Sequence, residues 1–389
     1  MPYYQQLGTI PAKRHIQFPN PGGGFLQEGI YYEEVVTTEG FHRAYSIVYH
    51  LRPPTRVLKM EAAAPYSAEV LAPQELRHIH LKTAPMPRGG DVISGRVPMF
   101  CNSDVTLTRC RPDSQQQMLF RNATHEELWF IHHGSGVLKT MFGEQPVRQL
   151  DYVLIPRSTT YQFVWDNPNE ADLLLIESRP TIRFPNRYLN PDGQFQLGAP
   201  FSERDLQGPK SLVPVDDESP TEVMIQDSGR RTIYTLASHP FDVVGWDGCH
   251  YPFTFNALDF EPITGKIHQP PPIHQTFQTD AFVVCTFAPR QLDYHPQAIK
   301  VPYAHSNVES DEVLYYVLGQ FGSRKGVEQG SFTMHPRGIA HGPHPGTIMG
   351  SRDATSTNEL AVMVDTFAAL LPTKQAWVYD DPQYPYSWL

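Results

Sequence analysis

The stretch VPYAHSNVESDEVLYYVLG (Val301–Gly319), followed by GSFTMHPRGIAHGPHPG (Gly330–Gly346), decides the fold. DEVLYYVL is a β-branched and aromatic run closed by Gly319. SFTMH is a second such run, closed by Pro336 and Gly338, so each reads as a strand ending in a turn. Reduced to spacings, the pair is His305-x-Asn307-x4-Glu312-x6-Gly319 and then Gly330-x5-Pro336-x-Gly338-x2-His341. The first half of the chain carries the same skeleton: Glu127-x6-Gly134, then Asp151-x4-Pro156-x4-Tyr161. Setting Pro156 against Pro336 places Tyr161 opposite His341 and Ser158 opposite Gly338. Both spacings recur, while residues able to hold a metal occur only in the second copy. An internal duplication with one functional site explains the pattern.

The rest of the chain reads the same way. Strand-like runs cover Arg43–Leu51, Asp104–Arg109, Glu127–His133, Tyr152–Ile155, Tyr161–Val164, Asp172–Ile176 and Thr232–Leu236. In the second half they cover Ala281–Phe287, Val313–Leu318, Gly330–Met334 and Leu360–Phe367. Helical candidates are few and short: Ser67–Val70, Ser202–Asp205 and Thr366–Leu371. With 37 prolines and 27 glycines in 389 residues, breakers are too frequent for long helices, and a mainly all-β sandwich or barrel architecture follows. Between residues 181 and 235 the chain turns rich in Pro, Asp, Gly and Ser, as a connector would. The expected organisation is an N-terminal β domain over 1–180, a linker over 181–235 and a C-terminal barrel over 236–389.

Charge excludes several classes of function. Thirty-one Lys and Arg against 41 Asp and Glu leave a net charge of −10, so no basic field exists to recruit nucleic acid or an anionic membrane. No apolar run approaches the ~18 residues of a membrane span, and the first residues lack a signal-peptide core. Cys101, Cys110, Cys249 and Cys285 form no CxxC pair and read as buried thiols of a reducing compartment. A soluble cytoplasmic protein is the expectation.

The two spaced motifs resemble those of the cupin family of double-stranded β-helix barrels, which implies a bicupin here. Ile299 stands at the first motif's glycine, Asn307 at its second histidine and Pro345 at the second motif's terminal asparagine. Three candidate ligands remain: His305, Glu312 and His341. Two imidazoles and one carboxylate are the donor set of the facial triad that holds non-haem Fe(II) and leaves positions open for substrate and O₂. The spacing that reaches Gly319 favours Glu312 over Asp311, which would face the other side of the strand.

The longer context, with VPYAHSN, SDEVLYYVLGQF and SFTMHPRGIAHGPHPG, resembles homogentisate 1,2-dioxygenase over about residues 265–346. That resemblance implies an Fe(II) ring-cleaving dioxygenase converting homogentisate and O₂ to maleylacetoacetate, assembled as a trimer or hexamer. It implies His268, in HQPPPIHQTF, as proton acceptor, and Tyr303 and His335 as residues that orient substrate. Phe321 replaces a substrate-contacting tyrosine, so a related hydroquinone-type acid such as gentisate remains an alternative. A non-enzymatic bicupin binding or storage protein is another, and a cupin isomerase would normally keep the histidine that Asn307 replaces. His274 reads as a turn residue and His344 as a surface one. His132 and His133, adjacent on a strand, should lie on opposite faces, and with Arg121, Asn122 and Tyr161 nearby the first barrel reads as metal-free. His78-x-His80 shares a strand face but has no third ligand, so it too reads as non-metal.

Overall fold

The computed structural model describes residues 3–72, 75–319, 321 and 326–389. Every strand-like run named above forms a strand. Of the three helical candidates only Glu203–Asp205 is helical, as a single 3-10 turn, and the two short α-helices are Thr347–Gly350 and Lys374–Trp377. Ser67–Val70 and Thr366–Leu371 lie outside helices because strand pairing claims their ends: Val70 bridges Thr373, Thr366 pairs with Asp311 and Leu371 pairs with Cys101.

The duplication is visible in strand order. One sheet contains, in order, Asp151–Ile155, Glu126–His133, Asp172–Ser178, Val105–Cys110 and Arg96–Cys101. Another contains Phe332–His335, Asp311–Leu318, Leu360–Thr366, Phe282–Phe287 and Gln275–Gln278 in the same order, again all antiparallel. Register repeats as well. Glu127 pairs with Glu177 where Glu312 pairs with Asp365. Tyr161 pairs with Phe120 where His341 bridges His305. Ser158 N–H donates to Asn122 O at 2.7 Å, as Gly338 N–H does to Asn307 O at 2.7 Å. Each copy also carries a bulge five residues after its glutamate, at His132 and at Val317.

Both copies then leave the strand through a left-handed glycine, Gly134 at φ +102° and Gly319 at φ +93°. A Cβ there would lie 3.0 Å from Ala171 Cα in one copy and 2.9 Å from Glu359 Cα in the other. Glycine is demanded by both the torsion and the close approach.

Strand alternation sorts side chains between two environments. Leu128 and Phe130, like Val313, Tyr315 and Val317, face a core shared by the two large sheets. Trp129 and Ile131 fill the first barrel, and Leu314 and Tyr316 line the second. Glu127 and Glu312 therefore both point into their own barrels. The first barrel is closed by a sheet containing Gly136–Thr140, Thr160–Trp165 and Leu119–Asn122. Among the described residues the second is closed by the His305–His341 bridge and the two-residue pair Arg290–Gln291 with Ser356–Thr357, and a cavity opens into its interior.

The expected boundaries need correction. Thr221–Asp227 and Arg230–Leu236, inside the supposed linker, are full strands that join the sheet of the first barrel. Phe253–Asn256, from the second half, pairs with Asp151–Leu154, and Ile79–Leu81, from the first half, pairs with Met334–Phe332. Each half thus completes the other's sheet. Turn-forming residues around those strands gave the segment its connector-like composition. His132 and His133 also depart from expectation: the bulge breaks the alternation, and their rings stack at 4.5 Å.

Candidate metal centre

Three of the candidate residues converge. One donor atom each from His305, Glu312 and His341 lie within 4.8 Å of one another. Backbone geometry explains how residues so far apart in sequence meet. His305 N–H donates to His341 O at 2.8 Å and His341 N–H to His305 O at 2.9 Å, so both rings leave the same side of one antiparallel bridge. Gly342 permits the crossing, since a Cβ there would lie 2.6 Å from Ala304 Cα. Glu312 enters from the neighbouring strand, on the barrel-facing side. Asp311 points the other way, bound to Arg337 Nε at 3.0 Å and Leu370 N–H at 2.7 Å.

The tautomers follow from the hydrogen bonds. Nδ1 of His305 lies 3.3 Å from Tyr303 O and Nδ1 of His341 lies 3.4 Å from Ile339 O. Nδ1–H donation to a carbonyl makes Nε2 the acceptor nitrogen of each ring, and in both it faces Glu312 in the cluster. Nε2 of His341 is 3.3 Å from Glu312 Oε1 yet is not aligned for a hydrogen bond, and it is buried without a hydrogen-bond partner. Burial alone would raise the Glu312 pKa, but the imidazoles of His305, His335 and His341 hold it well below the usual carboxylate range. A carboxylate held ionised beside an orphaned imidazole nitrogen fits a divalent cation.

His335 does not take the substrate-facing place expected of it. It is 0% exposed and sits behind Glu312, with Nδ1 2.9 Å from Glu312 Oε1 and Nε2 3.1 Å from Tyr384 OH. Cross-strand pairing of Glu312 with His335 puts the two side chains on one face but leaves His335 on the far side of the carboxylate. Its Nδ1 meets the Glu312 carboxylate rather than the cavity, which it does not line. If the cluster binds a divalent metal, His335→Ala should weaken that affinity by about 10- to 100-fold, the usual cost of losing a group that orients a ligand, while leaving the melting profile cooperative. Anaerobic metal titration of the variant checks this.

A cavity of about 530 Å³ opens on the cluster, lined among others by His268, His274, Tyr303, Tyr316 and Phe321. His268 Nδ1 lies 3.7 Å from Asp293 Oδ2, and its Nε2 is buried with no hydrogen-bond partner. Its ring meets Tyr303 edge-on at 4.9 Å, and Tyr303, 54% exposed, stands at the cavity mouth. His274 is a buried wall residue rather than a solvated turn, packed on Phe287 at 4.7 Å. Burial, with the charges of Arg290 and His268, pushes its pKa down to about 3. His344 is buried too, under the Trp388 ring at 4.6 Å, because the C-terminal segment folds back over it. His78 donates toward Ala340 O at 3.2 Å and His80 lies 3.6 Å from Asp381, outside the three-residue cluster. Asp293, Tyr384 and Asp365 were not legible beforehand, as each reaches the site from a separate part of the chain.

The first barrel shows what replaces a metal. Arg96 occupies its interior, and all five guanidinium N–H groups are used. Nη1 donates to Glu127 Oε1 at 2.9 Å and Glu177 Oε1 at 3.1 Å, and Nη2 donates to Glu127 Oε2 at 3.3 Å and Tyr161 OH at 2.8 Å. Nε donates to Val92 O at 3.0 Å. The guanidinium also lies over the Phe120 and Trp129 rings at 4.8 and 5.0 Å. Where the second barrel presents His305, Glu312 and His341, the first presents Phe120, Glu127 and Tyr161 around a built-in cation.

Two barrels of one strand order, with a single His-Glu-His cluster among the described residues, define the chain as a bicupin. It belongs to the family described as homogentisate 1,2-dioxygenase N-terminal, whose sequence model matches residues 44–257. That match ends where the strand Phe253–Asn256 completes the first barrel's sheet. The chain is also 38% identical over 391 residues to the Saccharolobus solfataricus protein named "Putative dioxygenase SSO1533", covering 100% of this chain and 99% of that one. Among solved structures, a cupin 2 conserved barrel domain protein from Leptotrichia buccalis aligns over 78% of this chain and 100% of its own, at 9% identity and a TM-score of 0.33. Protein Ylba from E. coli aligns over 77% of this chain and 91% of its own, at 10% identity and a TM-score of 0.34. The architecture stands on the chain's own strand order and register. No helix among the described residues is long and apolar enough to cross a membrane.

Proposed function

We propose that this chain is a cytoplasmic non-haem Fe(II) dioxygenase that opens the ring of homogentisate, yielding maleylacetoacetate. The observation that carries the reading is the convergence of His305, Glu312 and His341, with His305 and Glu312 lining a cavity large enough for a single aromatic acid. Fe(II) on two imidazoles and one carboxylate keeps coordination positions open and supplies Lewis acidity together with the one-electron chemistry that O₂ requires.

The chain's own groups do the rest. Phe287, Leu314, Phe321 and Met363 give the cavity apolar walls for a ring and exclude water from it. His268 Nε2, unpartnered and backed by Asp293, accepts the proton of a phenolic hydroxyl, which makes the ring a better electron donor. Tyr303 closes on His268 at the mouth and limits which ring orientations enter. His335 holds Glu312 from behind.

A second substrate is favoured by one observation. Phe321 lines the cavity and packs on Tyr316 at 4.6 Å, offering no hydroxyl to a second polar substituent. Gentisate is therefore compared with homogentisate in the test, which follows oxygen uptake and ring-opened product with both acids. Uptake with homogentisate supports the reading, and uptake with gentisate alone changes the substrate. His268→Ala should lower turnover by about 10²–10⁴-fold with iron still bound, the range for a lost general base. Loss of iron in that variant would make His268 a ligand instead.

A homo-oligomer is part of the proposal. The edge strand Val57–Ala63 presents Leu58, 60% exposed, and Met60, 62% exposed, at the end of its sheet, the kind of edge that a second chain covers. Sedimentation velocity reads the outcome, and a monomer at micromolar concentration contradicts it.

A further inference from the structure

We infer that Arg290 anchors the carboxylate of the substrate's acid side chain. This rests on the proposed reading for the identity of the substrate, though not for the existence of an anion site.

Arg290 lies in the two-residue strand Arg290–Gln291, held against Ser356–Thr357, and its side chain lines the cavity that opens on the metal cluster. The guanidinium is largely buried, and its one hydrogen bond runs from Nη1 to Ala288 O at 3.2 Å. No carboxylate lies within 4 Å of it among the described residues, although Glu359 and Asp293 act on it from further away. Arg121 and Arg231 likewise lie within 4 Å of no carboxylate among the described residues but donate to the side chains of Thr160 and Gln226, and three further interior arginines are ion-paired. Arg96 meets Glu127 and Glu177, Arg109 meets Asp172 at 2.7 Å, and Arg337 meets Asp311 at 3.0 Å. A guanidinium withdrawn from water without a counter-ion is costly, and one facing a cavity calls for an anion from the cavity.

The neighbours point the same way. Lys300 also lines this wall, donating to the backbone carbonyl of Asp293. Burial first, then the Arg290 charge, keep His274 neutral, so it offers no charge of its own to the anion. Glu312 is committed to the cluster. A planar guanidinium fork matches a carboxylate in two parallel hydrogen bonds, and one edge of Arg290 is free to make them. An aromatic acid can then place its hydroxyl toward the cluster and His268 and its acid group toward Arg290.

The consequence is specificity for acids over neutral hydroquinones. In the iron-loaded full chain, Arg290→Gln should raise the KM for homogentisate about 10- to 100-fold, the worth of charge-assisted hydrogen bonds, while kcat changes less than about threefold. Arg290→Lys should recover part of the loss. Methylhydroquinone, which lacks the acid group, should behave alike with all three proteins. Calorimetry on the metal-free chain gives an independent reading: phenylacetate should bind to the wild type more tightly than phenylacetamide, and the preference should vanish in Arg290→Gln.

Equal losses for acid and neutral substrates, no change for either, or a wild type with no preference for phenylacetate would each overturn the anchor. Should Arg290→Gln fail to fold, Arg290→Lys decides: an unchanged KM and an unchanged preference for phenylacetate overturn the anchor. An acid preference that depends on Arg290 in a chain with no oxygen uptake would keep the anchor and remove the ring-cleavage reading. Uptake indifferent to Arg290 would do the reverse.

Discussion

His305→Ala and His341→Ala are each expected to lose Fe(II) at micromolar concentrations and, with it, all oxygen uptake above background, while the protein stays folded. The cluster has three donors, and removing one imidazole takes away a direct bond to the metal. Losing a group that merely orients a ligand costs about 10- to 100-fold in metal affinity, so losing a ligand itself should cost more than ~10²-fold, or about 3 kcal/mol. Stability should not fall in parallel. His305 lines an open cavity, and the Nδ1 contacts of both rings, to Tyr303 O at 3.3 Å and to Ile339 O at 3.4 Å, are long. Thermal unfolding with and without Fe(II) checks the pair of claims. Wild type should gain about 2.7 kcal/mol of stability at a hundredfold excess of metal over Kd, and neither variant should gain it. Iron retained at full stoichiometry in both variants would remove the cluster as the site.

Arg96→Ala should do the opposite, destabilising the fold severely without touching the metal ligands. It leaves Glu127 and Glu177 facing each other across strands inside a barrel lined by Trp129, Phe163 and Tyr161. Removing one partner from a buried ion pair costs about 3–5 kcal/mol, because the remaining charges have lost their compensation. Part of the cost is relieved by protonation. Glu177 already has a raised pKa from burial, whereas Glu127 is held below its usual range by Arg96 in spite of burial. The deficit should therefore be larger at pH 8 than at pH 5, since carboxylates that take up protons at lower pH cease to repel. Denaturant unfolding at the two pH values measures it. The double variant Arg96→Met with Glu127→Gln should recover part of the loss, and a single variant within ~1 kcal/mol of wild type would show that the guanidinium is dispensable.

Much of this was legible in the sequence, for identifiable reasons. The strand Asp311–Leu318 combines β-propensity, a closing glycine and a motif spacing, so its existence and the inward direction of Glu312 follow from one another. The equivalence of Pro156 and Pro336 rests on local spacing alone and holds down to individual hydrogen bonds. What was not legible depends on partners distant in the chain. Arg96 lies 31 residues from Glu127, and no local pattern marks it as the cation of the first barrel. His335 shares a spacing with His341, but which side of Glu312 it occupies is set by the register between two strands. His344 looks solvent-facing until Trp388 covers it. The strand Thr221–Asp227 is hidden by the turn residues around it, and the strand-like run Thr232–Leu236 shows only its own existence, not its place in the first barrel's sheet; there composition misleads and pairing decides.

The most direct measurement of the central claim is Fe(II) titration of the metal-free chain under argon, followed by exposure to O₂ and homogentisate in the same cell. The account predicts saturation at one iron per chain, uptake in proportion to bound iron, and one O₂ consumed per ring opened. Iron binding at that stoichiometry with no uptake from either homogentisate or gentisate would contradict it.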